Sequence, residues 1–216
     1  MYRLRIRFSR GPRLKFISHL DLMRLWERAF RRAGIPLAYS EGFSPHPRLS
    51  LAAPLSVGVS SSAELMDVYL NSRVSSPFFL KAVSRQLLPD IELLEVQTVP
   101  FDLPSLQSQV SYAEYQVEVE SDKSPSEVEA AIGRLLALEH LPWQHHRDTG
   151  PRRYDLRPLI ADLWLVECRN GRCVLGMRLR CDNQGAGRPE QVAAALGFPP
   201  PHRSIQRMRL IMSGQR

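Results

Sequence analysis

Tyr2-Arg3-Leu4-Arg5-Ile6-Arg7-Phe8, then Gly11-Pro12, then Ser18-His19-Leu20-Asp21-Leu22, form the opening βα unit on which the reading of the fold turns. Residues 2–8 alternate with a period of two. Leu4, Ile6 and Phe8 therefore share one face of a strand, and Arg3, Arg5 and Arg7 share the other. The pattern predicts a half-buried strand with an arginine row on its open face. Gly11-Pro12 ends it. Ser18 and Asp21 have the spacing of a capping box, and Leu22, Leu25, Trp26, Ala29 and Ala33 recur at helical intervals, which predicts a helix over 18–33. Gly34 suits its C-terminal cap, and Pro36 forbids continuation.

Strands are expected at 48–55 and 63–71, a helix at 76–88 stopped before Pro89, and a strand at 91–98. The order is βαββαβ, a ferredoxin-like unit. A polar connector with Pro100 and Pro104 follows, and the pattern then repeats. A strand is expected over 112–120, and a helix begins at Ser124-Pro125-Ser126-Glu127 with proline at its first position. Strands follow at 141–146, 161–168 and 172–181, the last two joined as a hairpin by Asn170-Gly171. A helix at 189–196 and a strand at 204–212 complete the repeat with one extra strand. The expected fold is α+β, tandem ferredoxin-like with antiparallel sheets, in domains 1–99 and 110–216.

An apolar content of 44% in 216 residues is enough for a core without disulfides. No apolar run approaches membrane-spanning length, and Met1–Arg7 lacks the apolar run of a secretory signal. Cys168, Cys173 and Cys181 match no zinc or iron–sulfur spacing, and are expected to be buried small side chains in a reducing cytoplasm. Charge is the uneven quantity. Residues 1–50 hold eleven cations against three acids, a surplus of eight, whereas the whole chain carries +7. Nearly all the cations are arginines, whose planar forks grip phosphate oxygens in pairs and stack on bases. A charge concentrated in one quarter of the chain predicts a patch for a polyanion.

Arg3, Arg5 and Arg7 on the strand, with Arg24, Arg28, Arg31 and Arg32 on the helix, are expected to border an RNA groove. Tyr39 and Phe43 offer stacking faces, His46 is clamped between Pro45 and Pro47, and Arg48 adds a cation. His19 is the one candidate catalytic group, a general base toward a ribose 2′-OH. His19, Asp21 and His46 have the side-chain chemistry of metal ligands, but Asp21 already caps the helix, and no metal site is assigned. Asp155 and Arg157 are read as a local ion pair, Glu64 and Asp67 as structural partners of the N-terminal arginines, and His145-His146 as lacking a further ligand at fitting spacing. No phosphate-binding glycine loop and no serine nucleophile elbow is present.

The run Phe16-Ile17-Ser18-His19-Leu20-Asp21-Leu22-Met23-Arg24, the stretch Arg31-Arg32-Ala33-Gly34-Ile35-Pro36, and Tyr39-Ser40-Glu41-Gly42-Phe43-Ser44-Pro45-His46-Pro47-Arg48 resemble the bacterial radical SAM-linked family. This is a domain of unknown function encoded beside, or fused behind, a radical SAM protein. The resemblance returns at Tyr154-Asp155-Leu156-Arg157-Pro158 and Arg188-Pro189-Glu190, and departs within 147–157, where arginines stand in place of expected lysines and Gly150-Pro151 is inserted. It implies a cytoplasmic protein that works with a radical SAM partner. Together with the basic patch, it leads to the expectation of a non-catalytic accessory protein that recognises RNA, tRNA or rRNA, with no cofactor of its own and no membrane partner. Two alternatives stay open: a metal-independent ribonuclease using His19, and a protein–protein module that docks on the radical SAM partner without RNA.

Overall fold

The computed structural model describes residues 1–147 and 150–214, without the side chains of 145–147, so the expectation for His145-His146 lies outside the described residues. Two compact units are present, Met1–Val110 and Ser111–Arg216. Among the described residues no helix is long and apolar enough to cross a membrane.

The first unit runs β1 (Tyr2–Arg10), α1 (His19–Arg32), β2 (Leu49–Leu51), β3 (Ser60–Leu70), α2 (Ser76–Ser84) and β4 (Ile91–Val99). β1 pairs antiparallel with both β3 and β4, and β2 pairs antiparallel with β3, so the strand order is β4-β1-β3-β2. Each helix thus crosses between strands that are not neighbours. The even-numbered residues of β1 behave as their alternation requires: Leu4, Ile6 and Phe8 are buried in a cluster with Met66, Val68, Trp26, Phe30 and Phe79. Phe8 meets Trp26 edge to face at 4.8 Å, and Trp26 stacks on Phe30 at 5.2 Å.

α1 starts where the capping pattern places it. The Ser18 hydroxyl accepts from the Asp21 amide at 3.1 Å and donates to the Asp21 carboxylate at 2.7 Å. Gly34, at φ 67°, takes the left-handed conformation that ends the helix.

The odd-numbered face of β1 is not open, which corrects the sequence expectation. Register sets Arg5 opposite Asp67, and Asp67 is completely buried. Arg3 Nε and Nη2 donate to Asp67 Oδ2 at 3.0 and 2.6 Å, and Arg5 Nε donates to Oδ1 at 2.8 Å. Arg3 also donates to the carbonyls of Leu103 and Pro104 at 2.7 and 3.0 Å. Residues 100–109 are therefore held to the first unit rather than acting as a loose connector, with Leu106 fully buried. The expected pairing of Asp67 with N-terminal arginines is present, and it removes Arg3 from solvent.

The second unit runs β5 (Val110–Glu120), α3 (Pro125–Leu136), β6 (Pro142–Arg147), β7 (Gly150–Asp155), β8 (Ile160–Arg169), β9 (Arg172–Asp182), β10 (Gly185–Ala186), α4 (Pro189–Ala195) and β11 (Ser204–Met212). Its path is β11-β5-β9-β8, with β10 a short addition on β9 and β6–β7 a separate hairpin. α3 carries the full capping box between Ser124 and Glu127. β7 escapes the sequence pattern because Pro151, Arg152 and Arg153 are all exposed and show no apolar alternation.

Two further expectations are corrected here. Cys168 and Cys173 face each other across the β8–β9 hairpin and form a disulfide, of which Cys181 is not part. A two-residue Asn170-Gly171 turn aligns residues 169 and 172, and so also 168 and 173. Asp155 and Arg157 do not pair through their side chains. The Asp155 carboxylate accepts from the Leu141 and Arg157 amides at 2.8 and 3.0 Å. The Arg157 guanidinium donates to the carbonyls of Leu136, Leu138 and Ile160 at 2.9, 3.0 and 2.8 Å, closing the C-terminal end of α3.

Glu114 on β5 repeats in the second unit what Asp67 does in the first. Arg178 donates to it at 2.8 Å and Arg209 at 2.6 Å. The Arg209 hydrogen bond is the largest influence on its carboxyl. Burial opposes it and Arg178 assists it, leaving the carboxyl below its ordinary value of 4.5.

Two stability predictions follow from these buried acids. Asp67→Ala leaves the buried Arg3 guanidinium without its anion, and should cost about 3–5 kcal/mol in urea unfolding, as broken buried pairs do. Recovery of wild-type stability in Arg3→Met/Asp67→Leu would show that the pair itself is dispensable. A depressed carboxyl stabilises the fold above its unfolded pKa and loses that contribution as pH falls through the folded value. Glu114→Gln should therefore lower stability at neutral pH and flatten the acid-side loss below pH 4.5, as followed by thermal unfolding across pH 3–7.

Candidate nucleic-acid interface

Because α1 packs on the even face of β1, its own outward residues point away from the sheet, and the odd face of β1 points the opposite way. The expected groove between a strand row and a helix row therefore does not form. Arg3 is buried, Arg5 is 16% exposed and bound to Asp67, and Arg7 pairs with Glu95 at 3.2 Å. Arg10 is also buried and donates to the Val59 carbonyl at 2.7 Å. The strand row is structural apart from Arg7.

The helix row is different. At 100° per residue, Leu20, Arg24, Arg28 and Arg31 fall on one exposed strip of α1, with Arg32 beside it. Arg31 donates to Glu27 at 2.6 Å, and Arg24 lies 3.6 Å from Asp21. Both pairs are exposed, and such pairs are worth about 0.2–1 kcal/mol, so a phosphate displaces them at little cost. Arg28 and Arg32 make no ion pair among the described residues. Arg31 and Arg32 also sit in the last turn, where their charge favours the helix dipole. Leu20, 66% exposed, was absent from the expected site, although its place four residues before Arg24 puts it on the same strip.

The chain leaves α1 and extrudes a loop at the same end of the unit. Its neck is a short ladder: Arg48 N donates to the Ala38 carbonyl and Ser40 N to the His46 carbonyl, both at 2.8 Å. The His46 amide also donates to the Ser40 hydroxyl at 3.0 Å. Beyond that neck Glu41, Phe43, Ser44, Pro45 and His46 are exposed, with Phe43 fully so and Tyr39 partly so. Arg48 stays at the base, its guanidinium 4.8 Å over the Tyr69 ring.

His19 lies at the other end of α1. The segment before the helix is tied to the start of β3 by Gly58 N donating to the Lys15 carbonyl, whereas the segment after it pairs with the end of β3 through Leu37 and Leu70. Fourteen residues at 1.5 Å each put roughly 20 Å between His19 and the loop. His19 and Asp21 are therefore not brought together with His46. His19 itself is exposed and has no hydrogen-bonded acid or base among the described residues.

Arg31 and Arg32 stand at the end of α1 from which the Tyr39–Arg48 loop leaves, with Arg24 and Arg28 further along the same helix, whereas His19 lies at its opposite end and Arg5 and Arg7 are held by acids of the sheet; Arg48, at the loop base, shares the Tyr69 ring with the buried Arg3, at 4.8 and 5.6 Å. Arginine forks, an exposed phenyl ring and an exposed imidazole on a hydrogen-bonded backbone are the chemistry of phosphate contact and base stacking.

No curated protein matches the chain. Among solved structures, it is similar to a chain of a Cbf5-Nop10-Gar1 complex at TM-score 0.51 and 9% identity, with 96% of this chain and 48% of that one covered. It is similar also to a chain of an archaeal box H/ACA sRNP Nop10-Cbf5 complex, at TM-score 0.47 and 10% identity, covering 96% and 47%. The chain thus spans about half the length of these structural neighbours, and at such identities the likeness is one of fold. A family model described as an uncharacterized protein conserved in bacteria, DUF2344, matches residues 3–189. That match runs from β1 to the first residue of α4, and the chain belongs to the DUF2344 family.

Proposed function

We propose that this chain is a non-catalytic RNA-recognising accessory protein, and that it holds RNA on the outer face of α1 and the Tyr39–Arg48 loop. The observation that carries this reading is the α1 strip. Four arginines crowd one exposed face against two weakly held acids, an arrangement whose self-repulsion a polyanion relieves. Phe43 at the loop tip supplies an unobstructed face for an unpaired base. Tandem ferredoxin-like architecture is part of the same reading and is supported by the strand orders. β4-β1-β3-β2 and β11-β5-β9-β8 are one path used twice.

The radical SAM partner rests on the sequence resemblance in the 16–48 region, and an accessory role fits a chain whose cysteines match no cluster spacing. Cytoplasmic location belongs to this reading too, and it requires Cys168 and Cys173 to be held as thiols there.

Fluorescence anisotropy with a single-stranded oligoribonucleotide between 50 and 200 mM salt tests the surface. The wild type should bind, with log K falling linearly against log salt. Each α1 arginine in contact contributes about 0.7 to the slope. Arg24→Gln, Arg28→Gln, Arg31→Gln and Arg32→Gln combined should weaken binding at least tenfold and flatten the slope. Phe43→Ala should weaken binding by about 1–3 kcal/mol with the slope unchanged. Arg7→Gln should leave both alone. Equal affinity and slope in the fourfold variant would end the proposal, and salt-sensitive capture of a radical SAM protein with no RNA affinity would replace it with a protein-docking role.

A further inference from the structure

In the second unit, Tyr154-Asp155-Leu156-Arg157-Pro158 and Arg188-Pro189-Glu190 are separated by twenty-nine residues, and the α1 surface uses neither. They meet at one cleft of about 410 Å³, between β7, the segment before β8 and the turn joining β9 to β10. Arg152 and Arg188 line it, with Tyr154, Leu159, Gln184 and Ala186. The volume falls within the range of small-ligand sites, which runs from about 300 to 1,000 Å³.

We propose that this cleft binds a phosphate-bearing nucleotide. Arg152 and Arg188 are to hold the phosphate, and Tyr154, Leu159 and Ala186 are to receive the nucleoside. The proposal does not depend on RNA binding at α1.

The charge balance favours an anion. Among the described residues Asp155 is the acid in the lining, and its carboxylate is already engaged by the Leu141 and Arg157 amides and by His140 at 2.8 Å. Glu190 reaches Arg188 only at 4.0 Å, at the outer limit of an ion pair, so the Arg188 guanidinium keeps donors for a second anion. The Arg152 guanidinium lies 6.0 Å over the Tyr154 ring, a contact that leaves its N–H groups unspent.

The walls are fixed in place. Tyr154 donates its hydroxyl to the buried Gln191, and burial pushes its phenol above the ordinary value, so it remains a neutral donor at pH 7. Asp182 locks the β9–β10 turn by accepting from the Gln184 and Gly185 amides at 2.8 and 3.2 Å. Gly185 lies so close to Leu159 that an added Cβ would stand 2.9 Å from its Cδ2, which keeps this wall close-packed. Two guanidinia alone would serve free phosphate. The half-buried Tyr154 and Leu159, with the exposed Ala186 beside them, give a nucleoside the apolar contacts that free phosphate would leave unused.

Isothermal titration calorimetry of the full chain with uridine 5′-monophosphate, uridine and inorganic phosphate tests the site. The monophosphate should bind, with uridine and phosphate each at least tenfold weaker. Arg152→Gln, at an exposed position, and Arg188→Gln should each weaken the monophosphate at least fivefold. The fourfold α1 variant should bind it as the wild type does, so failure of one surface is separable from failure of the other. No heat with the monophosphate at millimolar concentration overturns the proposal. So does uridine binding equally well, or wild-type affinity in a folded Arg152→Gln/Arg188→Gln protein. In the α1 variant background, an oligoribonucleotide with a 5′-phosphate that outbinds its 5′-hydroxyl counterpart would name an RNA end as the source. Equal binding of the two would support a free mononucleotide.

Discussion

Asp67 sits among the paired strands of the first unit with no exposure to water, and it remains there because Arg3 and Arg5 close on it from the neighbouring strand. A lone carboxylate at that depth would meet a desolvation penalty of several kcal/mol. With two guanidinia it has a donor for each oxygen, and Arg3 spends two further N–H groups on the carbonyls of Leu103 and Pro104. The same contacts that satisfy the charge fasten residues 100–109 across the sheet. A face that alternation alone marks as open is thereby closed, and the candidate binding surface is displaced to the other side of the unit, onto α1.

The second unit meets the same constraint with the roles exchanged. There the acid, Glu114, lies on the unit's first strand, and the arginines come from β9 and β11. In the first unit the acid lies on β3 and the arginines on β1. Two units with the same strand path thus each hold a carboxylate between arginines, without sharing the residues that do it. Their helix starts are also built alike, with Ser18 and Ser124 each accepting from an amide three residues on. These are solutions to the same physical problem, capping a helix and closing a sheet face, and they need no shared sequence.

Much of this was legible. Period-two alternation located β1, capping chemistry located α1 and α3, and Asn170-Gly171 located the hairpin. The same signals also carry two features that run against the expected surface and the expected cysteines. A helix that packs on the apolar face of a strand must turn its outer arginines away from that strand's polar face, so a shared groove was never compatible with the alternation itself. A two-residue turn at 170–171 sets Cys168 against Cys173, so their pairing was implied by the hairpin. β7 was different: Pro151-Arg152-Arg153 carries no apolar period, and its partner β6 holds it by backbone bonds to which side-chain pattern is blind.

What this sequence determined by itself was local: which segments extend, which coil, where each stops, and that its cations crowd toward one end. Those follow from dihedral preference, side-chain period and composition, all properties of near neighbours in the chain. Only the folded molecule decided which arginines remain available to a ligand, and that Tyr154 and Arg188 line one cleft. Exposure and proximity depend on groups dozens of residues away, and the packing of sheet and helix sets them.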